Sequence, residues 1–164
     1  MKRIILAICL ILLPIISGHA LTPAGTVLTN TASILREDGS VWVSCTLNQT
    51  VAQVAGVAVS LPPTAKAQAG KSWQGYLTLT NMGNGPDSFA LTKQATLPWT
   101  INLTDYVGVL AQDETRRIPV SVAIPGGTAG QVDTITITAK GLFDSTINNA
   151  DTSSLTSFKP GKGK

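Results

Sequence analysis

The segment TRRIPVSVAI, Thr115–Ile124, is followed by the turn Pro125-Gly126-Gly127 and then by VDTITITAK, Val132–Lys140. In the first run Ile118, Val120, Val122 and Ile124 recur at every second position. In the second run Ile135, Ile137 and Ala139 do the same, with Thr134, Thr136 and Thr138 between them. A period of two sends alternate side chains to opposite faces of a strand, whereas a helix groups positions three and four apart. Both runs therefore read as strands with an aliphatic inner face and a hydroxyl-rich outer one. Pro119 lacks the N–H that a ladder needs, so the first run is expected at an edge or a bulge.

The same grammar extends outward. Ser72–Asn81 runs into Met82-Gly83-Asn84-Gly85-Pro86, a turn of residues that tolerate unusual φ. Asp87–Lys93 and Trp99–Thr104 follow as strands. Further back, the apolar run Val54–Leu61 ends at Pro62-Pro63, where two missing N–H groups stop any ladder. Val27–Arg36 and Val41–Val51 flank Glu37-Asp38-Gly39-Ser40. Asp-Gly is a strong hairpin signal because the favoured two-residue turn needs φ > 0 at both central positions. Helix signals are almost absent. Seven or more short strands with closely spaced turns predict an all-β protein, a β-sandwich with an additional N-terminal β-hairpin.

The chain start reads as a targeting segment. Lys2 and Arg3 precede the apolar run Ile4–Ile16, and Ser17-Gly18-His19-Ala20 supplies small residues for cleavage after Ala20. The apolar run is short for a spanning helix, which takes about 20 residues; an uncleaved anchor is the alternative. Cys9 is no lipidation site, because Ile8 before it is not small. Cleavage leaves 144 of the 164 residues, with ten basic and nine acidic side chains, so the formal charge falls from +3 to +1. No transmembrane span is expected after cleavage, and a nearly neutral chain offers no counterion-release drive for nucleic acid. The expected organisation is a signal peptide at 1–20, a hairpin segment at 21–56, a sandwich at 57–155 and a disordered basic tail at 156–164. An exported, extracytoplasmic location follows: the cell surface or medium, or the periplasm in a host with two membranes.

The chemistry is constrained by what is missing. The sole histidine, His19, lies in the leader, which removes Ser-His and Cys-His nucleophile pairs and histidine-bearing zinc sites. No glycine-rich phosphate motif is present. Acids such as Asp105 and Asp113 are scattered and read as solvated loop residues, so no catalytic residue is assigned and the protein is not expected to be an enzyme. Asn81, Asn84 and Asp87 are oxygen-bearing side chains about one turn, but their spacing is not that of a calcium loop. No metal or cofactor is assigned. Cys45, the one cysteine beyond the leader, alternates with Trp42, Ser44 and Thr46 and shares a face with Val41, Val43 and Leu47. It is expected to be buried there, pairing between chains being the alternative.

Among the aromatics, Trp73 shares a face with Leu77 and Leu79, and Trp99 with Ile101 and Leu103, so both read as core. Trp42 and Tyr76 fall on the polar faces of their strands. They are the candidate ligand platform, most suited to sugar by stacking, unless a neighbouring strand or chain covers them.

Two stretches also resemble known bacterial surface modules. Thr22–Gly56, through Thr22-Pro23-Ala24-Gly25-Thr26-Val27 and Thr29-Asn30-Thr31-Ala32, is similar to repeat segments of large secreted surface proteins. Val57 to about Leu155 resembles the NPCBM-associated, NEW-type domain. Its matching residues are Ala69-Gly70, Leu77–Phe89, Pro98-Trp99-Thr100-Ile101, Asp113-Glu114-Thr115 and Ile124–Gly130. The resemblance implies an immunoglobulin-like sandwich used as an accessory or surface module, with no catalytic residues to carry over. Two functions compete on this reading. One is a structural or adhesion module whose exposed strands pair with itself or with other surface proteins. The other is an accessory protein binding cell-wall or extracellular polysaccharide through Trp42 and Tyr76. A periplasmic chaperone-like sandwich ranks behind both.

Overall fold

The computed structural model describes residues 21–159; the expected signal peptide and residues 160–164 of the expected tail lie outside them. The chain divides into two compact units, with the boundary between Gln53 and Val54. That is three residues before the boundary read from the sequence. The reason is local: Val54 N–H donates to Asn84 Oδ1 at 2.6 Å, Asn84 N–H to the Val54 carbonyl at 3.1 Å, and Met82 N–H to the Gly56 carbonyl at 3.0 Å. These bonds fasten 54–56 to the turn at 82–85, so the segment belongs with the sandwich.

The first unit is a two-stranded antiparallel ribbon, β1 (Val27–Leu35) and β2 (Val41–Thr50). The second is a sandwich of nine strands among the described residues: β3 (Val57–Ser60), β4 (Thr64–Gln68), β5 (Ser72–Asn81), β6 (Asp87–Ala95), β7 (Thr100–Asn102), β8 (Tyr106–Leu110), β9 (Thr115–Ala123), β10 (Val132–Gly141) and β11 (Asn148–Phe158). One sheet has the order β4-β11-β10-β6-β8 and the other β3-β5-β9-β7. All pairings are antiparallel except β4 with β11, which is parallel. The architecture is that of an immunoglobulin-like β-sandwich.

The core lies where the alternation placed it. Leu77 and Leu79 of β5 and Ile118, Val120 and Val122 of β9 face Phe89 and Leu91 of β6, Ile135, Ile137 and Ala139 of β10, and Leu155 of β11. Each of these side chains larger than alanine contributes roughly 1.5–3 kcal/mol by leaving water. Trp99 is buried as expected, while Trp73 is half-buried at the margin of the core. Pro119 is in an interior strand of its sheet, but β7 ends at Asn102 opposite Ser121. At Pro119 β9 therefore has no β7 partner, and the strand is locally an edge.

Three elements differ from the sequence reading. Pro62-Pro63 does end β3, but the chain then crosses to the opposite sheet and resumes as β4, with the Pro63 carbonyl accepting Ser154 N–H at 3.0 Å. β8 forms in what reads as a loop. β11 runs to Phe158, past the expected end of the sandwich at 155, so 156–158 are strand and not disordered tail. Its inward positions include Ser153 and Ser157, with Leu155 between them, which hides the apolar periodicity. Ser157 Oγ instead donates to the carbonyls of Thr128 and Gln131, closing the loop before β10.

Candidate functional site

The hairpin is amphipathic. Opposed residues of an antiparallel pair share a face, and the register Leu28↔Gln49, Asn30↔Leu47, Ala32↔Cys45, Ile34↔Val43 gathers Leu28, Ala32, Ile34, Val43, Cys45 and Leu47 on one side. The other side carries a hydroxyl ladder. Thr29 Oγ1 donates to Asn48 Oδ1 at 2.8 Å, and the Thr31 and Thr46 hydroxyls bond each other at 3.1 Å. Every residue of both strands is exposed, Leu47 at 63%. The expected burial of Cys45 is therefore corrected: it is an exposed free thiol. Alternation identified its face, but the two-stranded ribbon has no second layer of its own to cover that face.

The turn is also different in kind from the expected one. Only Gly39 has positive φ, at 81°. Arg36 N–H donates to the Ser40 carbonyl at 2.8 Å and Gly39 N–H to the Arg36 carbonyl at 3.0 Å, closing a longer loop in which glycine alone takes the left-handed conformation. Asp38 Oδ1 accepts Ser40 N–H at 2.9 Å. Hydrogen bonds from Ser40 hold the Asp38 carboxyl below its ordinary value. The pairing steps from Ile34↔Val43 to Leu35↔Val41, so Trp42 is passed over as the extra residue of a β-bulge. Its side chain is 62% exposed.

Tyr76, the second predicted platform residue, belongs to the other unit. It sits on the outer face of β5 opposite Pro119 of β9, and 50% of it is exposed. Two register steps away and on the same face, Arg117 is opposite Thr78, which brings its guanidinium over the Tyr76 ring, 4.3 Å from the centroid. Such a contact contributes about 0.5–1 kcal/mol at an exposed position. Tyr76 is a shared wall between two clefts. The first, about 570 Å³, is lined by Lys66, Trp73, Gln74, Thr78 and Arg117 among others. The second, about 760 Å³, is lined by Lys93, Asn102, Thr104, Pro119 and Ser121 among others. Beside Tyr76, the Trp73 indole folds over Gly75: a Cβ on Gly75 would lie 2.3 Å from the indole ring. The sequence showed Tyr76 but not Arg117, because their meeting depends on the β5–β9 register.

The remaining polar candidates have structural partners. Asn81 Nδ2 donates to the Gly85 and Leu110 carbonyls at 2.9 and 3.0 Å, and its Oδ1 accepts Gly83 N–H at 2.9 Å. Asn84 receives Val54 N–H, and Asp87 Oδ1 receives the amides of Ser88 and Phe143. Asp105 pairs with Lys93 at 3.0 Å. Asp113 takes φ 60° in the turn before β9 and donates its N–H to the Asn81 carbonyl. Among the described residues no group of three or more His, Cys, Asp or Glu side chains could hold a metal, and no helix is long and apolar enough to cross a membrane.

No protein-family model and no curated protein matches this chain. Among solved structures, PapD-like domain 7 of human CEP192 aligns over 64% of this chain and 87% of its own, at TM-score 0.48 and 12% identity. WR4, a C. elegans MSP family member, aligns over 63% of this chain and 99% of its own, at TM-score 0.41 and 13% identity. The secreted serine protease VesC of Vibrio cholerae aligns over 62% of this chain at TM-score 0.45 and 16% identity, and the aligned region is 23% of that protease. At these scores and identities the similarity is confined to the layering of strands, and no site or activity transfers.

Proposed function

We propose that this protein is a non-catalytic, extracytoplasmic structural or adhesion module that associates with further copies of itself through the β1–β2 hairpin. One observation carries the reading: neither strand of the hairpin contains a charged residue or a proline, while one face is apolar and exposed. Edge strands are ordinarily guarded by lysine, proline or inward-pointing charge, and this ribbon has none of those devices. A two-stranded ribbon alone is marginal in water, so a covering layer is required.

A second copy fits that requirement by charge. When identical surfaces meet about a two-fold axis, a charge near the axis meets its own kind. A charge-free ribbon escapes this repulsion, and its matching apolar face supplies the missing layer. The leader-like segment from Lys2 to Ala20 supports export.

Light scattering on the purified protein across a concentration series tests the proposal. Concentration-dependent dimers or larger assemblies are expected, with mild oxidation joining two chains through Cys45. A monomer at every concentration, with no filaments by electron microscopy, overturns it. A monomer whose hairpin amides resist hydrogen exchange would mean that the ribbon is covered within its own chain.

A further inference from the structure

We infer that the paired clefts about Tyr76 form a binding site for a uronic-acid-bearing polysaccharide, distinct from the hairpin surface and contained within the sandwich unit. The argument begins with charge. Lys66 and Arg117 line the first cleft, and no carboxylate among the described residues lines either one. In the second cleft Lys93 is bonded to Asp105, 3.0 Å away, and its charge is compensated. The uncompensated positive charge is therefore on the Lys66 and Arg117 side of Tyr76.

The aromatic residues decide between kinds of anion. Tyr76 is half-exposed between the two clefts, and Trp73 lines the first of them. Flat rings complement the apolar faces of pyranose sugars, which a polymer of glycerol phosphate lacks. Arg117 approaches the Tyr76 ring while its fork of N–H donors remains suited to a carboxylate. On the other side of Tyr76 the cleft is polar and uncharged beyond the Lys93–Asp105 pair. Asn102 Nδ2 donates to Ser121 Oγ at 3.5 Å and Thr104 Oγ1 to the Tyr106 carbonyl at 3.0 Å, which leaves the Asn102 Oδ1 acceptor and the Ser121 hydroxyl proton for sugar hydroxyls. A glycan laid across Tyr76 would place a uronate on Arg117 and Lys66 and the neighbouring ring's hydroxyls on the polar side.

Native affinity electrophoresis of the full protein through gels containing polygalacturonate, neutral dextran or poly(glycerol phosphate), at low and moderate salt, tests this. Retardation is expected with polygalacturonate and not with dextran. Tyr76→Ala and Arg117→Gln should each weaken it about tenfold, the size of one lost charge-assisted contact. Arg117→Lys should recover part of the loss. Both positions are exposed, and unchanged unfolding curves would show that the variants remain folded. Three results overturn the assignment: no retardation by polygalacturonate, retardation indifferent to both substitutions, or equal retardation by poly(glycerol phosphate) that survives Tyr76→Ala. The last would identify a simple anion patch. None of these outcomes depends on whether the hairpin self-associates.

Discussion

Asp133 Oδ1, wholly buried at the head of β10, accepts the amide proton of Leu97 at 2.9 Å. The same oxygen accepts the Thr96 amide and hydroxyl, both at 2.8 Å. One carboxylate oxygen thereby satisfies the backbone where the chain leaves β6 on its way to β7 in the opposite sheet. Charge-assisted bonds of this kind are about twice as strong as neutral ones.

Asp133→Ala should therefore be among the most damaging single substitutions in the sandwich, costing about 2–3 kcal/mol because the Leu97 amide loses its acceptor and the Thr96 amide keeps only the Thr134 carbonyl, 3.2 Å away. Chemical denaturation with matched slopes measures this. Asp133→Asn, which keeps one acceptor oxygen, should lose less than the alanine variant.

Gly75→Ala should also destabilise the sandwich, by about 1–3 kcal/mol, since the added methyl would lie 2.3 Å from the Trp73 indole, well inside non-bonded contact distance. The indole must move, so tryptophan fluorescence should change with stability. The double variant Gly75→Ala with Trp73→Leu should be more stable than the sum of the two single losses. Strict additivity would show that the two residues do not share that space.

On the hairpin, Val43→Lys together with Leu47→Lys should weaken self-association at least about a hundredfold, since two aliphatic side chains no longer leave water. Thr46→Lys on the hydroxyl face should weaken it much less. Sedimentation equilibrium distinguishes the faces, and equal effects would place the contact on a strand edge instead.

Glu114 gives a pH dependence of known sign. The Ala111 amide, and secondarily Arg116, hold its carboxyl below the ordinary value of 4.5. A carboxyl whose folded value is depressed contributes stability above the unfolded value and loses it as pH falls through the folded one. The Glu114 side chain is 40% exposed and screened by solvent, so the effect on overall stability should be small. Titration followed by NMR should show the Glu114 midpoint rising in Arg116→Gln and remaining below 4.5 through the Ala111 bond.

Much of the sandwich was legible because its strands announce themselves locally. Ile118, Val120, Val122 and Ile124 alternate without a break, as do Ile135, Ile137 and Ala139, and each of these is buried. β11 did not announce itself, because Ser153 and Ser157 take inward positions that an aliphatic pattern would assign to the surface. β4 was hidden by Pro62-Pro63, which signals that a ladder stops and says nothing of where the chain goes next. Cys45 shows the limit on faces: period two tells which side chains travel together, while burial depends on whether another layer exists. Arg117 shows the limit on sites, for its place over Tyr76 follows from pairing two strands about forty residues apart, a register set by the whole core.

The parallel pairing of β4 with β11 has a mechanical consequence. Thr64–Gln68 and Ser154–Phe158 run side by side in the same direction, although one comes early and the other late in the sequence of the sandwich unit. Tension that drew Thr64 toward the start of the chain and Phe158 toward its end would slide these strands past each other lengthwise. The ladder bonds between them would then bear the load together, where a hairpin pulled apart from its open end yields one bond at a time. This pair is consequently a shear clamp, suited to carrying force along the chain.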